Sequence, residues 1–183
     1  MRLTSCTIYV VFVNALILEE RSGSIGVSGL AKIHELTRAK ARRVRFRAWL
    51  WNGTEYRIHF NSFRVESRST KYTLRLGGYN IRANRGVPGL CKYQFLWNSN
   101  QQFTTRDEDN DARASGNCAL SFGGAGWWYN FCTAVSPNVK YCPSESCGPN
   151  VNNIKVRCLM GDSYSMKRFQ IELFIDDNYS GRS

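Results

Sequence analysis

Histidine and proline are scarce, with 2 His and 4 Pro among 183 residues. His34 and His59 are far apart in the chain, and no nucleophile and orienting group can be assembled around either, so a Ser-His-Asp or Cys-His triad has no support. With 43% hydrophobic residues and 13% aromatics, the composition also excludes disordered, collagen-like and coiled-coil chains. No apolar run reaches the roughly 20 residues that a membrane-spanning helix needs. There is no Cys-x-x-Cys pair, both histidines lie upstream of the cysteine cluster, and a zinc site is excluded with them. Neither an internal repeat nor a low-complexity tract is present. Acidic side chains are few as well, 14 against 25 Lys and Arg, for a net charge of +11. Such a surplus points to anionic partners: nucleic acid, phospholipid headgroups, or sulfated and sialylated glycans. The length fits one folding unit.

The charge is uneven. Residues 1–92 hold 17 basic and 5 acidic side chains and the remainder hold 8 and 9, which is +12 against −1. The amino terminus, Met1-Arg2 followed by an apolar core from Ile8 to Leu18 and then Glu19-Glu20, has the pattern of a signal peptide over residues 1–18, with Val13-Asn14-Ala15 as cleavage motif. A β-strand is the alternative, because Tyr9 to Val13 is rich in β-formers. Seven cysteines is an odd number, and loss of Cys6 with the leader would leave six: Cys91, Cys118, Cys132, Cys142, Cys147 and Cys158. Disulfides in an oxidising compartment follow from that count.

Residues 43–50 alternate strictly, with Val44, Phe46, Ala48 and Leu50 on one side and Arg43, Arg45, Arg47 and Trp49 on the other, which predicts a half-buried strand. Asn52-Gly53 predicts a hairpin turn into a second strand from Glu55 to Phe60. A third run, Phe63 to Glu66, and a fourth, Tyr72 to Leu76, continue the meander until Gly77-Gly78 ends it. Tyr164 to Ile175 alternates again and re-enters the sheet. Leu30 to Ala41 predicts a short helix. Between these, from Asn80 onward, turn residues multiply and a long loop-rich region is expected, of the kind that is either tied down or functional. The expected fold class is α+β: an antiparallel twisted sheet with short helices and a loop-rich, disulfide-stapled subdomain, for which the acidic loop and the resemblance given below imply calcium binding.

Asp107-Glu108-Asp109-Asn110-Asp111 places three aspartates at alternate positions, a spacing that can direct successive oxygens at one Ca²⁺. It is not an EF-hand, since the sixth loop position is Ala112 and the twelfth is Cys118. The segment Phe103-Thr-Thr-Arg-Asp-Glu-Asp-Asn-Asp111, then Gly116-Asn-Cys-Ala119, then Gly126-Trp-Trp-Tyr-Asn-Phe-Cys132, resembles the carboxyl-terminal globular domain of fibrinogen, shared by ficolins, tachylectins, angiopoietins and tenascins. Lys32-Ile-His-Glu-Leu-Thr37, Tyr72-Thr-Leu-Arg-Leu-Gly-Gly-Tyr79, Tyr141 and Gly161-Asp-Ser-Tyr-Ser-Met-Lys167 add to it. The resemblance assigns 29–175 to the domain, with a non-matching lead at 19–28 and a tail at 176–183. The family's opening segment has no counterpart here. Either the chain is a truncated gene product or Met1 to Ser28 takes that segment's place.

The resemblance implies a Cys118–Cys132 disulfide, Ca²⁺ ligation by the side chains of Asp109 and Asp111, and further ligation by the backbone carbonyls of Arg113 and Ser115. In lectin members an acetyl-binding pocket lies beside the calcium loop. Its positions correspond here to Phe122, Phe131, Cys132, Thr133, Asn150, Val151 and Asp162, with a cis peptide at Phe131–Cys132. Thr133 replaces a family histidine and Asp162 a common tryptophan, so the pocket's chemistry is altered. Trp127 and Trp128 are expected in the core. Cys91, Cys142, Cys147 and Cys158 allow three pairings, among which the sequence does not choose. The function so implied is a secreted, extracellular, non-enzymatic recognition domain for acetylated or anionic glycans on cells or microbes, acting in innate immunity. The alternative is a protein ligand for a receptor or matrix component, without sugar specificity. A polyanion contact through Arg43, Arg45 and Arg47 is a third expectation. Nucleic acid as physiological partner and a membrane span are not expected, and self-association into a homo-oligomer is left open.

Overall fold

The computed structural model of the protein describes residues 7–12, 16–20, 29–147 and 153–174. Cys6, the cleavage motif at 13–15, the rest of the lead from Arg21 to Ser28, Asn150, Val151 and the tail at 176–183 lie outside them. Strand β1 (Thr7–Phe12) pairs with β2 (Leu16–Glu20), and the expected leader boundary after Leu18 falls within β2. Helix α1 (Leu30–Arg38) follows, three residues shorter than its spacing predicts. It buries Ile33 and Thr37, and the Thr37 hydroxyl accepts the Val65 N–H at 3.0 Å while donating to the Ile33 carbonyl at 2.8 Å.

Strand β3 (Arg42–Trp49) has the expected alternation, burying Val44, Phe46 and Ala48. It pairs through the Asn52-Gly53 turn with β4 (Glu55–Val65). The second and third expected strands are one. Asn61-Ser62 between them carries no turn-forming Gly or Pro, and a register shift at Arg42/Val44 on β3 absorbs the change of phase. Strand β5 (Leu74–Tyr79) runs through Gly77-Gly78, which does not end the meander. Gly78 has φ +65°, and a Cβ there would lie 3.1 Å from that of Asn61, so Gly78 serves a close strand approach.

The loop-rich half contains one helix that the turn residues masked, α2 (Leu90–Leu96), which buries Cys91 and Phe95 at i, i+4. It also holds the single-turn helices α3 (Cys118–Ser121) and α4 (Arg157–Met160) and a two-residue pairing of β6 (Val135–Ser136) with β7 (Lys155–Val156). Strand β8 (Arg168–Phe174) returns to the centre of a six-stranded antiparallel sheet of order β2-β1-β8-β3-β4-β5. One core joins sheet and loops: Phe46 meets Phe95 of α2 at 4.8 Å, and Trp128 stands edge-on to Phe63 at 6.4 Å and to Phe103 at 5.2 Å. Three disulfides close it: Cys91–Cys158, Cys118–Cys132 and Cys142–Cys147. The second matches the pairing that the resemblance implies, and the other two settle the open alternatives. No helix among the described residues is long and apolar enough to cross a membrane.

The outward face of β3 is held by carboxylates from its neighbours. Glu172 on β8, with 0% of its side chain exposed, accepts from Arg45 Nε and, at 2.9 Å, from Arg47 Nη1. Glu55 on β4 accepts from Arg47 and, at 2.8 and 3.0 Å, from both prongs of Arg57. The Arg57 and Arg47 hydrogen bonds hold the Glu55 carboxyl down at about 2 against burial. Burial first, and then Arg45 and Arg57, push His59 down to about 4. The unfolded protein therefore takes up the His59 proton near 6.5 and the Glu55 proton near 4.5, before the folded one does. Stability is expected to fall as pH drops from 6.5 to 4 through His59 and from 4.5 to 2 through Glu55. Urea denaturation across this range should flatten in its upper part in His59→Gln and in its lower part in Glu55→Gln.

Gly126 supports the loop half by being small. A Cβ there would fall 2.8 and 2.9 Å from two carbons of the Phe103 ring, which packs on Trp128. Gly126→Ala is expected to lower stability by roughly 1–3 kcal/mol, as overpacked cores do, read as a reduced urea midpoint with the denaturant slope unchanged.

Candidate functional site

The acidic loop is built on the antiparallel bridge between Thr104 and Trp127, whose amides and carbonyls exchange bonds of 3.0 and 3.1 Å. The Thr104 hydroxyl accepts the Asn110 N–H at 3.1 Å, and the Asn110 amide donates to the Phe103 carbonyl at 2.9 Å, which fixes the start of the turn. Asp111 shapes its end: one carboxylate oxygen accepts the Arg113 N–H at 2.8 Å and the other the Cys118 N–H at 2.7 Å. Asp109 accepts the Asp111 N–H at 3.3 Å and is otherwise exposed. The Ala112 N–H donates to the Asn130 carbonyl at 3.1 Å, tying the loop to the Trp127–Cys132 segment.

The donor set suits Ca²⁺. Each carboxylate oxygen retains a lone pair beyond the amide bonds it accepts, and carboxylate and carbonyl oxygens are the hard ligands this ion prefers. The Arg113 guanidinium is turned away toward Ser121 Oγ, at 3.2 Å, and leaves the carboxylates uncovered. Among the described residues no three His, Cys, Asp or Glu side chains converge on one point. An ion held by Asp109 and Asp111 would draw its remaining ligands from backbone carbonyls such as those of Arg113 and Ser115. Glu108 instead pairs with Lys71.

A cavity of about 370 Å³ opens beside Cys132 of the Cys118–Cys132 disulfide. Four of the residues expected in the pocket line it: Phe122, Phe131, Cys132 and Thr133. The Phe131–Cys132 bond is trans, like every peptide bond among the described residues, because Cys132 turns the backbone with a left-handed φ of +53° instead. Its N–H donates to Cys118 Sγ at 3.0 Å. Thr133 is 7% exposed, and its hydroxyl lies 2.8 Å from Asn98 Oδ1 and 2.9 Å from the Val135 carbonyl, acceptors that hold its proton inside the protein. Phe122 stacks on Tyr129 at 5.5 Å, with Lys155 Nζ 5.5 Å from the Phe122 ring centroid.

Asp162 does not line the cavity. It is exposed on the loop after α4 and accepts from Arg157 Nε at 2.7 Å, with Lys155 Nζ at 3.6 Å, so it reaches the cavity only through Arg157. Asn150 and Val151 lie outside the described residues. Sequence reasoning missed Tyr93, Gln94 and Trp97 on the outer face of α2, together with Ala134 and Arg157. The signal for the first group was there, since Leu90, Tyr93 and Trp97 recur at i, i+3, i+7 opposite Cys91 and Phe95. Tyr93, Trp97 and Phe131 are 66%, 51% and 66% exposed. This concave, aromatic surface has one guanidinium at its edge and a rigid floor, the composition of a ligand-binding cleft.

Residues 26–175 match the family model of the C-terminal globular domain of the fibrinogen beta and gamma chains. Human fibroleukin is 35% identical over 114 residues, 62% of this chain and 25% of that protein. Mouse angiopoietin-related protein 6 is 36% identical over 110 residues, 60% of this chain and 22% of that protein. The sequence thus spans about a quarter of the length of these curated relatives. The fibrinogen-like globe domain of human ANGPTL6 superposes with a TM-score of 0.71 at 26% identity, covering 83% of this chain and 66% of the other. That of human ANGPTL2 gives 0.68 at 32%, covering 79% and 63%. Lamprey fibrin D-dimer, complexed with the peptide Gly-His-Arg-Pro-amide, has the same fold, with a TM-score of 0.67 at 24% identity over 87% of this chain and 55% of the other. By its sequence over residues 26–175 and by its fold, the protein belongs to the family of the C-terminal globular domain of the fibrinogen beta and gamma chains.

Proposed function

We propose that the protein is a secreted docking domain, and not an enzyme, that binds a cell-surface receptor or extracellular-matrix protein through the aromatic cavity, beside a loop that holds Ca²⁺. The observation that carries this reading is the exposure of Tyr93, Trp97 and Phe131 around one cleft. Large aromatic side chains held on a rigid frame are the groups that dominate protein interfaces. Trp97 is fixed by its place at the end of α2, and its carbonyl accepts from the Asn130 amide at 3.3 Å. Three disulfides fit an oxidising compartment and support secretion.

Recognition of acetylated or anionic glycans, as in a lectin of innate immunity, is the second reading, favoured by the position of Phe122, Phe131 and Cys132 on the cavity wall. Against it, the hydroxyl of Thr133 is committed to Asn98 and Val135 and offers no donor to a sugar. Probing an array of receptor ectodomains and matrix proteins in parallel with a glycan array separates the two. Protein hits that weaken roughly 30-fold or more in Trp97→Ala, the loss typical of a binding hot spot, are expected. Hits confined to acetylated sugars would reverse the order.

Calcium acts here by ordering the loop. Two neighbouring carboxylates repel each other without a cation between them, and an ion bound only by the folded protein stabilises it by about 2.7 kcal/mol at a hundredfold excess over Kd. Titration calorimetry is expected to give one Ca²⁺ per molecule, with a rise in Tm, and both should vanish in Asp109→Ala.

A further inference from the structure

The outward face of the sheet carries a charge lattice that the cavity does not use. Arg43, Arg45, Arg47 and Trp49 on β3 point away from the core, and the pairing register sets Phe174, Glu172, Gln170 and Arg168 of β8 beside them. On the other side His59 stands opposite Arg45, Arg57 opposite Arg47 and Glu55 opposite Trp49. The face continues across β4 and β5, where Arg64 is paired in register with Arg75, and Arg75 is bridged to Glu66 at 3.0 Å. Among the described residues, and leaving Arg43 aside, this gives six arginines (45, 47, 57, 64, 75, 168) against three glutamates (55, 66, 172), a surplus of three positive charges. His59 adds none at neutral pH, being pushed down to about 4 by burial and by Arg45 and Arg57.

The guanidiniums are also preorganised. Arg47 and Arg168 lie over the Trp49 ring at 4.4 and 4.9 Å, and Arg45 and Arg43 over the Phe174 ring at 5.1 and 5.6 Å. Buried Glu172 fixes Arg45 and Arg47 from below. Side chains already immobilised lose little entropy on binding. Strand geometry spaces successive outward residues about 6.7 Å apart and neighbouring strands about 4.8 Å apart. Such a lattice suits a polymer bearing an anion every few ångströms rather than one small ion, and planar guanidiniums donate to sulfate oxygens in pairs.

We propose that this outer face of β3, β4, β5 and β8 binds a sulfated polysaccharide of the glycosaminoglycan type. Charge complementarity requires a polyanion. The three disulfides place the folded protein where extracellular sulfated glycans are the polyanions at hand, rather than nucleic acids. The face lies across the sheet from Phe46 and α2, and so across it from Tyr93 and Trp97, leaving the cavity free for a second partner.

The test titrates the full disulfide-bonded protein with a heparin oligosaccharide at several NaCl concentrations, and in parallel with duplex DNA matched for charge. Arg64→Gln/Arg168→Gln removes two exposed cations and leaves Arg45 and Arg47 on Glu172 and Arg57 on Glu55, so the fold is retained, checked by a Tm that does not fall. Heparin affinity is expected to fall roughly tenfold, and the salt slope of log K to lose about two contacts. The control Arg82→Gln/Arg85→Gln, in the exposed turn after β5, should leave both unchanged. Absence of heparin binding in low salt, an equal loss in the control, or DNA bound as tightly as heparin would each overturn the assignment.

Discussion

Trp128 is the joint between the two halves of this protein. Its indole is 1% exposed, touches Phe63 of the sheet and Phe103 of the loop half, and donates from Nε1 to the Tyr72 carbonyl at 2.8 Å. Long stretches between residues 80 and 167 lie outside regular strands and helices, so their backbone groups need partners of other kinds. The tryptophan pair supplies a template for them. Trp127 bridges Thr104 through the main chain and, at 3.2 Å, donates its indole N–H to Asn98 Oδ1, the same oxygen that Thr133 approaches. Asn98 thereby couples the end of α2, the tryptophan segment and the cavity wall within one buried cluster. The acidic loop hangs from one side of this segment and the aromatic cleft opens on the other. Both positions follow from how the indoles pack, not from any regular element of their own.

The sheet was legible because its physics is periodic. Val44, Phe46 and Ala48 alternate with arginines, and Asn52-Gly53 fits the turn between β3 and β4. Where the reading failed, a local signal lost to a longer-range one. Gly77-Gly78 reads as a terminator, yet β4 lies close enough at Asn61 that a glycine is needed at position 78 inside the strand. Glycines in α2's lead and the turn residues around it hid a helix that buries two side chains, Cys91 and Phe95. Cys91 is drawn in by a partner 67 residues away, Cys158, and no local rule foresees that.

The candidate site divides in the same way. The acidic loop could be read from its motif because all its parts lie within one short segment. The cleft could be read only in part, since it is assembled from α2, from the residues on either side of Cys132 and from α4. Phe122, Phe131 and Thr133 were found through family positions, whereas Tyr93 and Trp97 lie on a helix whose spacing was hidden among turn residues, and Arg157 belongs to a single turn that the sequence did not announce. The cis peptide failed for a different reason. The turn it was expected to make is made by the backbone of Cys132 in the left-handed region, stabilised by its disulfide partner's sulfur.

The net charge of +11 is partly an architectural device. An arginine strand such as β3 cannot pack beside Arg57 without intervening carboxylates, because like charges directly opposite one another destabilise a sheet. Glu55 comes from the adjacent strand, but Glu172 comes from the other end of the sequence, 127 residues from Arg45. A carboxylate with no exposed surface is costly unless paired, and only a β8 set in this register against β3 provides the pairing. A slip by one residue would turn Glu172 toward the core and Ile171 and Leu173 toward solvent. Hydrophobic pattern and charge pattern thus demand the same register. That agreement explains how a carboxyl-terminal strand finds a central place in a sheet whose other strands precede it by more than 80 residues.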